Sequence, residues 1–410
     1  MLANGMRRGL TALCLAVAAS ALSACQANNQ TAVQQHSGTL GPDFCAAQDP
    51  GRVLKADPSN YRRMVSRLAA GDTLLLTPGY YGPLKIANLR GAPGHCITIT
   101  GQAGNRPAVI LGETGNRTVE IIASSYIVIR NLVIDSRGLP GADGIKASAS
   151  PHPATHHIVL DGNLIIGAGA SQQTDGITTK TPTWSWAIRR NTIISAGTAI
   201  YLGDSDGTAP FIAGLIEDNL VLDPIGYGMQ IKYQVERPAL AGMPETDQVT
   251  VIRNNVFKKN GRPSPDGDRP NLLVGGFPET GAGSHDLYQI YGNLLIENPR
   301  EALFQGSGRI SFHDNVLIGG APAAAVFRDH DLPLKFAEVF DNKIYSQHVG
   351  IKFDSPARQG LSVFGNVIFA ETTLTGLDYS MNGPLAPDAA RTNRSDVPNQ
   401  SITTIDSSAY

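Results

Sequence analysis

Three lysines stand in short segments that alternate apolar and polar residues. Lys146 lies in DGIKAS, Lys180 ends DGITTK, and Lys232 follows GYGMQI. A lysine acts as a base only if its pKa approaches the working pH, and a free lysine at about 10.4 is too weakly deprotonated. Repulsion among lysines that project from neighbouring strands would favour the loss of one proton. The same row of lysines, fully charged, would attract a polyanion.

Tyr201, in GTAIYLG, is the second candidate for proton transfer. Its phenol could give a proton as an acid, or take one as a base in place of Lys180. The alternative for both residues is an ordinary surface strand that carries lysines and an aromatic side chain. Five further residues could bind a substrate beside these strands: Lys146, Lys232, Gln230, Asp175 and His285.

The elements that carry these residues belong to a repeat. An apolar strand, an asparagine and another apolar strand recur nine times from Ile127 onward. A unit made only of strands and turns cannot bury its apolar side alone, so neighbouring units must stack around one continuous core. The repeat therefore predicts an all-β right-handed parallel β-helix, a solenoid of about nine coils. The nine asparagines are Asn131, Asn163, Asn191, Asn219, Asn255, Asn293, Asn315, Asn342 and Asn366.

Each asparagine has a physical role in such a solenoid. Asparagine tolerates the left-handed conformation at a sharp corner, and its amide can bond the local backbone and the asparagine stacked above it. In the other strand of each coil, alternate residues should point into the core. The expected inward residues are Ile145, Ile177, Ile200, Met229, Leu303, Val326 and Ile351. The expected outward residues are Lys146, Thr178, Lys180, Tyr201, Gln230, Lys232 and Lys352.

Insertions and chain ends complete the expected architecture. Residues 232–248 and 258–271 contain many prolines and glycines, and we expect them to form walls beside the face that bears Lys180. Residues 60–70 predict a short amphipathic capping helix for the N-terminal end of the solenoid. We assign residues 39–370 to the β-helix domain and residues 371–410 to a C-terminal tail or cap.

The N-terminus has the features of an export signal. Arg7 and Arg8 precede an apolar run, residues 10–21, that is too short to span a bilayer as a mature helix. The run ends in LSAC, which resembles the bacterial lipobox and makes Cys25 the expected lipidation site. An ordinary cleaved signal peptide is the alternative. Gln26 stands where an inner-membrane retention signal would carry aspartate, so the resemblance implies an outer-membrane lipoprotein that faces the periplasm or the cell surface.

Cysteine usage and charge fit an exported, soluble body. We assign residues 1–24 to the signal peptide and residues 25–38 to a flexible tether. The remaining cysteines, Cys45 and Cys96, would meet an oxidising compartment, which favours a disulfide over two free thiols and over metal binding. The net charge of -2, with 17% charged residues and no long basic run, argues against nucleic acid as a partner. We expect a monomer that meets the membrane only through its lipid anchor.

A family resemblance is visible over residues 71–134. The segments GDTLLLTPGYYGPLKI, CITITGQAGNRPAVILG and YIVIRNLVI look like the opening of the chondroitinase B and alginate lyase group of polysaccharide lyases, a branch of the pectin-lyase-like β-helices. Members of that group cleave uronic-acid polysaccharides by β-elimination, with a lysine as base, an arginine as acid, and calcium to neutralise the substrate carboxylate. The resemblance implies an anionic polysaccharide as partner and calcium as a candidate cofactor.

The segment DGITTKTPTWSWAIRRNTIISAGTAIYLG is similar to the catalytic stretch of that group. The resemblance puts the base lysine at Lys180, whereas the arginine position falls on Tyr201. A tyrosine can give a proton but cannot bind a carboxylate through two parallel hydrogen bonds, as an arginine does. Asp175 matches one acidic residue that the resemblance implies, and Gln173 replaces another, which argues against calcium.

Our leading hypothesis is a lyase for an anionic polysaccharide. Lys180 and Tyr201 would form the proton-transfer pair, and Lys146 and Lys232 would hold carboxylates. A C5 epimerase would use the same proton abstraction.

Two other activities stay open on the same fold. One is a non-catalytic polysaccharide-binding or envelope β-helix, which the missing arginine allows. The other is a glycoside hydrolase, which needs two carboxylates a short distance apart. Asp175 with Asp204 or Asp206 is the pair that the sequence offers for hydrolysis, although GDSDG is also ordinary turn chemistry, which we favour.

Overall fold

A computed structural model describes residues 42–45, 51–104, 106–149 and 154–376. The expected signal peptide, tether and lipidation site at Cys25, and the tail beyond residue 376, lie outside the described residues. Within the described ranges, no helix is both long and apolar enough to cross a membrane.

All the described strands belong to three parallel sheets, which we call sheets A, B and C. Sheet A contains Val53–Ala56, Thr73–Leu76, Ile97–Gly101, Ser125–Arg130, Thr155–Asp161, Ala187–Arg189, Leu215–Glu217, Val249–Arg253, Leu287–Tyr291, Gly308–His313, Leu334–Phe340 and Gly360–Phe364, with Thr183–Trp184 and Phe211–Ile212 beside them. Sheet B contains Gly79–Tyr81, Ala108–Leu111, Val133–Asp135, Leu164–Ile166, Thr192–Ile194, Leu220–Leu222, Val256–Lys258, Leu294–Ile296, Val316–Ile318, Lys343–Tyr345 and Val367–Phe369. Sheet C contains Leu84–Ala87, Val119–Ile122, Ile145–Ser148, Asp175–Thr178, Thr198–Leu202, Met229–Ile231, Leu272–Val274, Phe304–Gly306, Ala323–Phe327, Val349–Phe353 and Thr372–Thr375.

The chain visits the sheets in a fixed order, so one strand of each makes one coil of a right-handed parallel β-helix. Sheets B and C each hold eleven strands in the described part of the chain. The sequence repeat predicted about nine coils because the first coils lack the asparagine that marks the later ones. The last strand, Thr372–Thr375, pairs with Val349–Phe353 and continues the solenoid beyond residue 370, where we had placed the end of the domain.

Alternate residues of sheet C build the core, as the pattern predicted. Ile145 pairs with Ile177, Ile177 with Ile200, and Ile200 with Met229. All four side chains are fully buried, and burial of each contributes roughly 1.5–3 kcal/mol. Val326 is a correction to the expected inward residues. It pairs with Gln305 and Lys352 on the outer face, because Ala325 and Phe327 take the inward places.

An asparagine ladder runs along the corner between sheets A and B. Each Nδ2 from Asn163 to Asn342 donates to the Oδ1 of the next asparagine, at 2.8–3.1 Å. The same groups also donate to backbone carbonyl oxygens, for example that of Asn255 to Ile216. A buried amide without hydrogen-bond partners costs about 1–3 kcal/mol. The ladder gives each asparagine side chain these partners and so removes that cost. Its members are Asn163, Asn191, Asn219, Asn255, Asn293, Asn315, Asn342 and Asn366.

The left-handed corner residue precedes the ladder asparagine in each coil, which corrects one prediction. Arg190, before Asn191, has φ 53°, and Gly162 has φ 64°. Asn131 itself occupies this corner, with φ 55°, so it is exposed and outside the ladder. Leu132 takes the ladder position in that coil, where its backbone N–H donates to Asn163 Oδ1 at 3.2 Å.

A short helix and a disulfide lie near the N-terminal end. The helix spans Tyr61–Val65, shorter than the expected residues 60–70, and it contacts strands of sheets A and C. Its role as a cap stays a prediction. Cys45, at the end of the 3-10 helix Pro42–Cys45, forms a disulfide with Cys96, with a Cα–Cα distance of 5.2 Å.

Candidate active site

The outer face of sheet C carries three of the candidate residues in one column. Strand pairing puts Lys146 beside Thr178, Thr178 beside Tyr201, and Tyr201 beside Gln230. Parallel strands repeat every 4.7–4.9 Å or so, which is why residues far apart in the sequence become neighbours here. Lys180 lies two residues beyond the end of Asp175–Thr178 and has a positive φ of 20°.

Lys180, Asp175 and Tyr201 form a compact cluster on this face. The Lys180 Nζ lies 3.1 Å from Asp175 Oδ2 and 4.5 Å from the centroid of the Tyr201 ring. The ammonium thus sits between a carboxylate and the negative face of an aromatic ring. The Lys180 side chain is 31% exposed, whereas that of Asp175 is 1% exposed. A substrate on this face can therefore reach the lysine but not the carboxylate.

The buried Asp175 carboxyl has a perturbed acidity. Burial raises its pKa to about 6, and the charge of Asp143 adds to the effect. The ammonium of Lys180 opposes the shift. A carboxylate with a raised pKa takes up a proton more readily than an exposed one. Asp175 is therefore a stronger proton acceptor toward Lys180 than an ordinary aspartate would be.

Tyr201 keeps its proton more firmly than a free phenol. Its pKa is raised chiefly by burial, with further contributions from the charges of Asp175 and Asp204, whereas a hydrogen bond with Ser205 opposes the shift. A raised pKa disfavours the phenolate form. Of the two roles that the sequence left open, acid and base, this environment argues against the base, because a base would need the phenolate form.

Lys146 forms an ion pair with a different carboxylate, that of Asp143. Its Nζ lies 3.1 Å from Asp143 Oδ2, and its side chain is 17% exposed. Asp143 Oδ1 accepts a hydrogen bond from the backbone N–H of Asp175 at 3.0 Å. The expected repulsion among three lysines therefore does not describe this face, because Lys146 and Lys180 each contact an aspartate. Both aspartates stand two residues before an inward isoleucine, in the same Asp-Gly-Ile motif.

The other candidate residues lie further from this cluster. Gln230 points outward in the column, yet it is only 4% exposed, so the structure covers it. His285 is exposed in the loop that follows Leu272–Val274, and its Nδ1 lies 4.0 Å from Asp247 Oδ1. Lys232 follows the strand Met229–Ile231, and its Nζ lies 5.9 Å from the Tyr233 ring centroid.

Two sets of loops flank sheet C at opposite ends of its strands. The loop 259–271 enters the strand Leu272–Val274, and Gln172 holds this loop through Gly267 O and the N–H of Asp266, both at 2.9 Å. Lys259 is buried inside the same wall, where its Nζ donates to Gly226 O at 2.6 Å. Burial lowers the pKa of Lys259 to about 8.

The opposite wall consists of residues 232–248 and 275–286. A buried ion pair between Arg237 and Asp286 joins the two segments, with both side chains less than 5% exposed. Arg237 also donates to the carbonyl oxygens of Pro244 and Thr246 at 2.7 and 2.8 Å. Burial raises the pKa of Asp286 to about 6, and Arg237 opposes the shift. The walls are therefore held by internal polar contacts.

The donor set of this face does not fit calcium. Calcium takes six to eight oxygen ligands or so, and the part of the chain that the structure describes contains no cluster of three or more metal-ligating acidic, histidine or cysteine side chains. Asp143 and Asp175, the aspartates that contact Lys146 and Lys180, are each engaged by a lysine. We assign no chemical step to a metal.

Several residues of this region were missed from the sequence. Tyr227, two residues before Met229, and Arg269, in the loop 259–271, form a cation–π contact at 5.7 Å. His330 lies in the loop 328–333 and is partly buried. Loop residues carry no periodic signal, so only the structure could bring them to this face.

Comparisons with known proteins support the architecture. No protein-family model matches the chain, and a search of curated proteins finds no match. Among solved structures, an alginate lyase from Paenibacillus sp. str. FPU-7 superposes with a TM-score of 0.50 and 18% identity, over 79% of this chain and 98% of that one. The A-module of mannuronan C-5 epimerase AlgE4 from Azotobacter vinelandii gives 0.53 and 13%, over 84% and 98%.

A third solved structure has a different printed activity. The GH136 lacto-N-biosidase from Eubacterium ramulus superposes with a TM-score of 0.53 and 12% identity, over 78% of this chain and 64% of that one. At these identities the three likenesses show the parallel β-helix fold. They do not choose among a lyase, an epimerase and a hydrolase.

Proposed function

We propose that this protein is a lyase that cleaves an anionic, uronic-acid polysaccharide by β-elimination. The observation that carries the proposal is the contact of Lys180 with both Asp175 and the ring of Tyr201, on an outward face between two walls. The similar solved structures include an alginate lyase, which agrees with this substrate class.

The proposed reaction moves protons at three residues, Asp175, Lys180 and Tyr201. Lys180, after passing a proton to Asp175, takes the proton from C5 of the uronate. The electron pair of that C–H bond forms the C4–C5 double bond, and the bond from C4 to the glycosidic oxygen breaks. Tyr201 gives its proton to the departing oxygen, and Lys180 has returned to the ammonium form. The proton held by Asp175 then leaves through Lys180, and the Tyr201 phenolate takes a proton from water, which restores all three groups. Proton transfer by positioned side chains accelerates such steps by about 10²–10⁴-fold.

An ultraviolet assay tests this proposal. The soluble body is incubated with alginate, pectate and glycosaminoglycans, and the absorbance of unsaturated uronates is followed. We expect absorbance to grow with at least one polymer, and to stop growing in Lys180→Ala. Lys352→Ala, on the same face and paired with Asp354 at 2.8 Å, is the matched control and should keep the rate. An unchanged rate in Lys180→Ala would reject the role of Lys180.

The same assay separates the alternatives. Epimerisation would change the uronate composition without new absorbance, and an epimerase module does share this fold. New reducing ends without absorbance would indicate hydrolysis, but Asp175 is buried beneath Lys180, which disfavours it as a hydrolytic acid. Retention of polymer without turnover would indicate a binding protein.

We also propose that the protein is an outer-membrane lipoprotein, anchored through Cys25 with its β-helix facing the periplasm or the cell surface. The proposal rests on the lipobox-like LSAC and on Gln26. Cys25→Ala should release the protein into the soluble fraction. Continued membrane association of that variant would contradict the anchor.

A further inference from the structure

The outer face of sheet B is apolar along most of its length. In the nine strands from Val133–Asp135 to Val367–Phe369, the first and third residues point outward, and the middle residue is fully buried. Fourteen of these eighteen outward side chains are aliphatic or aromatic. Strand pairing keeps them in two straight columns, in which Leu220, for example, lies beside Val256. The exceptions are Asp135, Thr192, Lys258 and Lys343.

This face is open to solvent, unlike the outer faces of the other two sheets. Outward apolar residues are buried on sheet A, where Val159 is 1% exposed, and on sheet C, where Leu273 is 3% exposed. On sheet B, Ile318 and Tyr345 are 37% and 41% exposed, and the remaining outward apolar residues of the nine strands are partly exposed. Strands of sheet A lead into sheet B through tight corners of two residues, which leave no loop to fold over the face.

The face is large enough for a specific protein contact. The strand Ala108–Leu111 adds Val109 and Leu111, so the face spans ten strands, or about 43 Å at about 4.8 Å per strand. Its two columns make it about 15 Å wide, which gives an area of about 600 Å². The largest apolar patch of a typical monomer covers about 300–600 Å² and is often functional. Two such faces bury about 1,200 Å² together, the lower limit of specific, stable interfaces.

Two charged residues stand near opposite ends of the face. Asp135 lies on the second of the ten strands, and Lys343 lies on the ninth. Among the residues that the structure describes, neither of them forms an ion pair. Lys258, near the middle, contacts Glu297 at 3.4 Å, so its charge already has a partner. The face therefore carries a negative charge toward one end and a positive charge toward the other.

A twofold axis parallel to the strands makes these charges complementary. Rotation about such an axis lays one face on its copy, reverses the order of the coils and keeps each residue at its place along the strand. The midpoint of the ten strands lies between Leu220–Leu222 and Val256–Lys258. With the axis there, the strand of Asp135 lies opposite the strand that carries Lys343 and Tyr345 in the second copy. The contact of the carboxylate with an ammonium and a phenol then occurs twice.

We propose that sheet B is the interface of a homodimer, in which two copies pack face to face and antiparallel about this axis. The dimer replaces the monomer that the sequence led us to expect. Removal of the aliphatic side chains from water drives the association, and the contacts of Asp135 with Lys343 fix its register. Sheet C forms a different side of each coil, so both grooves stay open and the dimer does not depend on the proposed reaction.

Sedimentation equilibrium of the soluble body, residues 26–410, tests the interface. We expect the wild-type protein to reach the mass of two chains as its concentration rises. Leu220→Lys should weaken the association by about thirtyfold or more, because the change puts two charges close to the axis. Lys343 already stands in the same column as Leu220, so the fold accepts a lysine there.

A matched control puts the same charge on another sheet. Gln289 points outward from sheet A, where it pairs with Val251 and Ser311, and Gln289→Lys should dimerise like the wild-type protein. A wild-type protein that stays monomeric at every concentration would overturn the proposal. A dimer that Leu220→Lys leaves intact would overturn it too, since the contact would then lie elsewhere.

A charge exchange tests the antiparallel arrangement separately from folding. Asp135→Lys and Lys343→Asp should each weaken the dimer by about threefold to thirtyfold, because each change turns two attractive contacts into repulsive ones. The two changes together restore the opposite charges and should bring the affinity back to within about threefold of the wild-type value. A double variant as weak as the single variants would contradict this arrangement.

Two other occupants of the face predict different results. If residues 377–410 cover it, the wild-type protein and Leu220→Lys should both be monomers, which would overturn the dimer. Vesicles of phosphatidylethanolamine and phosphatidylglycerol test a membrane as the occupant. A monomeric wild-type protein that binds these vesicles, together with a Leu220→Lys variant that does not, would assign the face to the membrane and overturn the dimer.

Discussion

Two buried carboxylates of this protein have the same chemistry and different surroundings. Asp175, on the floor of the groove, and Asp286, in one wall, both have a pKa raised to about 6 by burial. Each contacts one cation, Lys180 or Arg237. The two ion pairs therefore carry the same charges, but they differ in how far the cation is exposed to solvent.

Exposure of the cation separates a reactive pair from a structural one. Lys180 is 31% exposed, and Arg237 is 2% exposed. Arg237 is also fixed by two backbone carbonyl oxygens. An ion pair with both side chains buried, which we call the closed pair, can hold two loops together. An ion pair whose cation is exposed can exchange a proton with a substrate. The predictions below test that difference.

Breaking the closed pair should have the largest effect. Arg237→Ala leaves Asp286 buried without its cation, which costs about 3–5 kcal/mol of stability. Lys180→Ala also leaves a buried carboxylate, but it breaks none of the carbonyl contacts that Arg237 makes, so its loss of stability should be smaller by about 1–3 kcal/mol. Urea unfolding measures both. Equal losses in the two variants would contradict the distinction between the pairs.

Neutralising each carboxylate should affect activity at one pair alone. Asp175→Asn removes the proton acceptor of Lys180 and should lower the elimination rate about hundredfold. Asp286→Asn should leave the rate within about threefold, since Asp286 acts on loop position and lies away from the reacting atoms. Initial rates at saturating polymer are the measurement, and similar losses in both variants would count against the proposed relay.

Both carboxylates should make stability depend on pH in the same direction. Their folded pKa of about 6 exceeds the unfolded value near 3.8, so the folded state binds more protons between these values. The free energy of unfolding should therefore fall as the pH rises from about 4 to 6, by about 1–3 kcal/mol for each group. Asp175→Asn or Asp286→Asn should flatten the curve in that window. A curve that rises instead would refute the assigned direction.

The sequence predicts the solenoid well because the same residue type, asparagine, recurs at the same corner of the later coils. Eight of the nine asparagines that marked the repeat form the observed ladder. The exception, Asn131, lies one residue earlier in its coil, and Leu132 takes the buried place. The first coils escaped the count because they carry Thr77 and Gln102 where the later coils carry asparagine.

The face of sheet C was predictable only in part. Periodicity put Lys180 and Tyr201 outside, and strand pairing brought them together. The ion pairs of these lysines were harder to foresee, because Asp143 and Asp175 stand two residues before the inward isoleucine of each strand and contact the lysines from there. Arg269 and His330 reach the face from loops, whose course depends on long-range packing that no local pattern encodes.

The most direct test of the whole account is a crystal structure of the Lys180→Ala variant with a bound uronate oligosaccharide. We expect sugars along sheet C, with a glycosidic oxygen within hydrogen-bond distance of the Tyr201 hydroxyl and a carboxylate beside Lys232. An oligosaccharide bound on sheet A or sheet B, away from Tyr201, would contradict the assignment of this face as the active site.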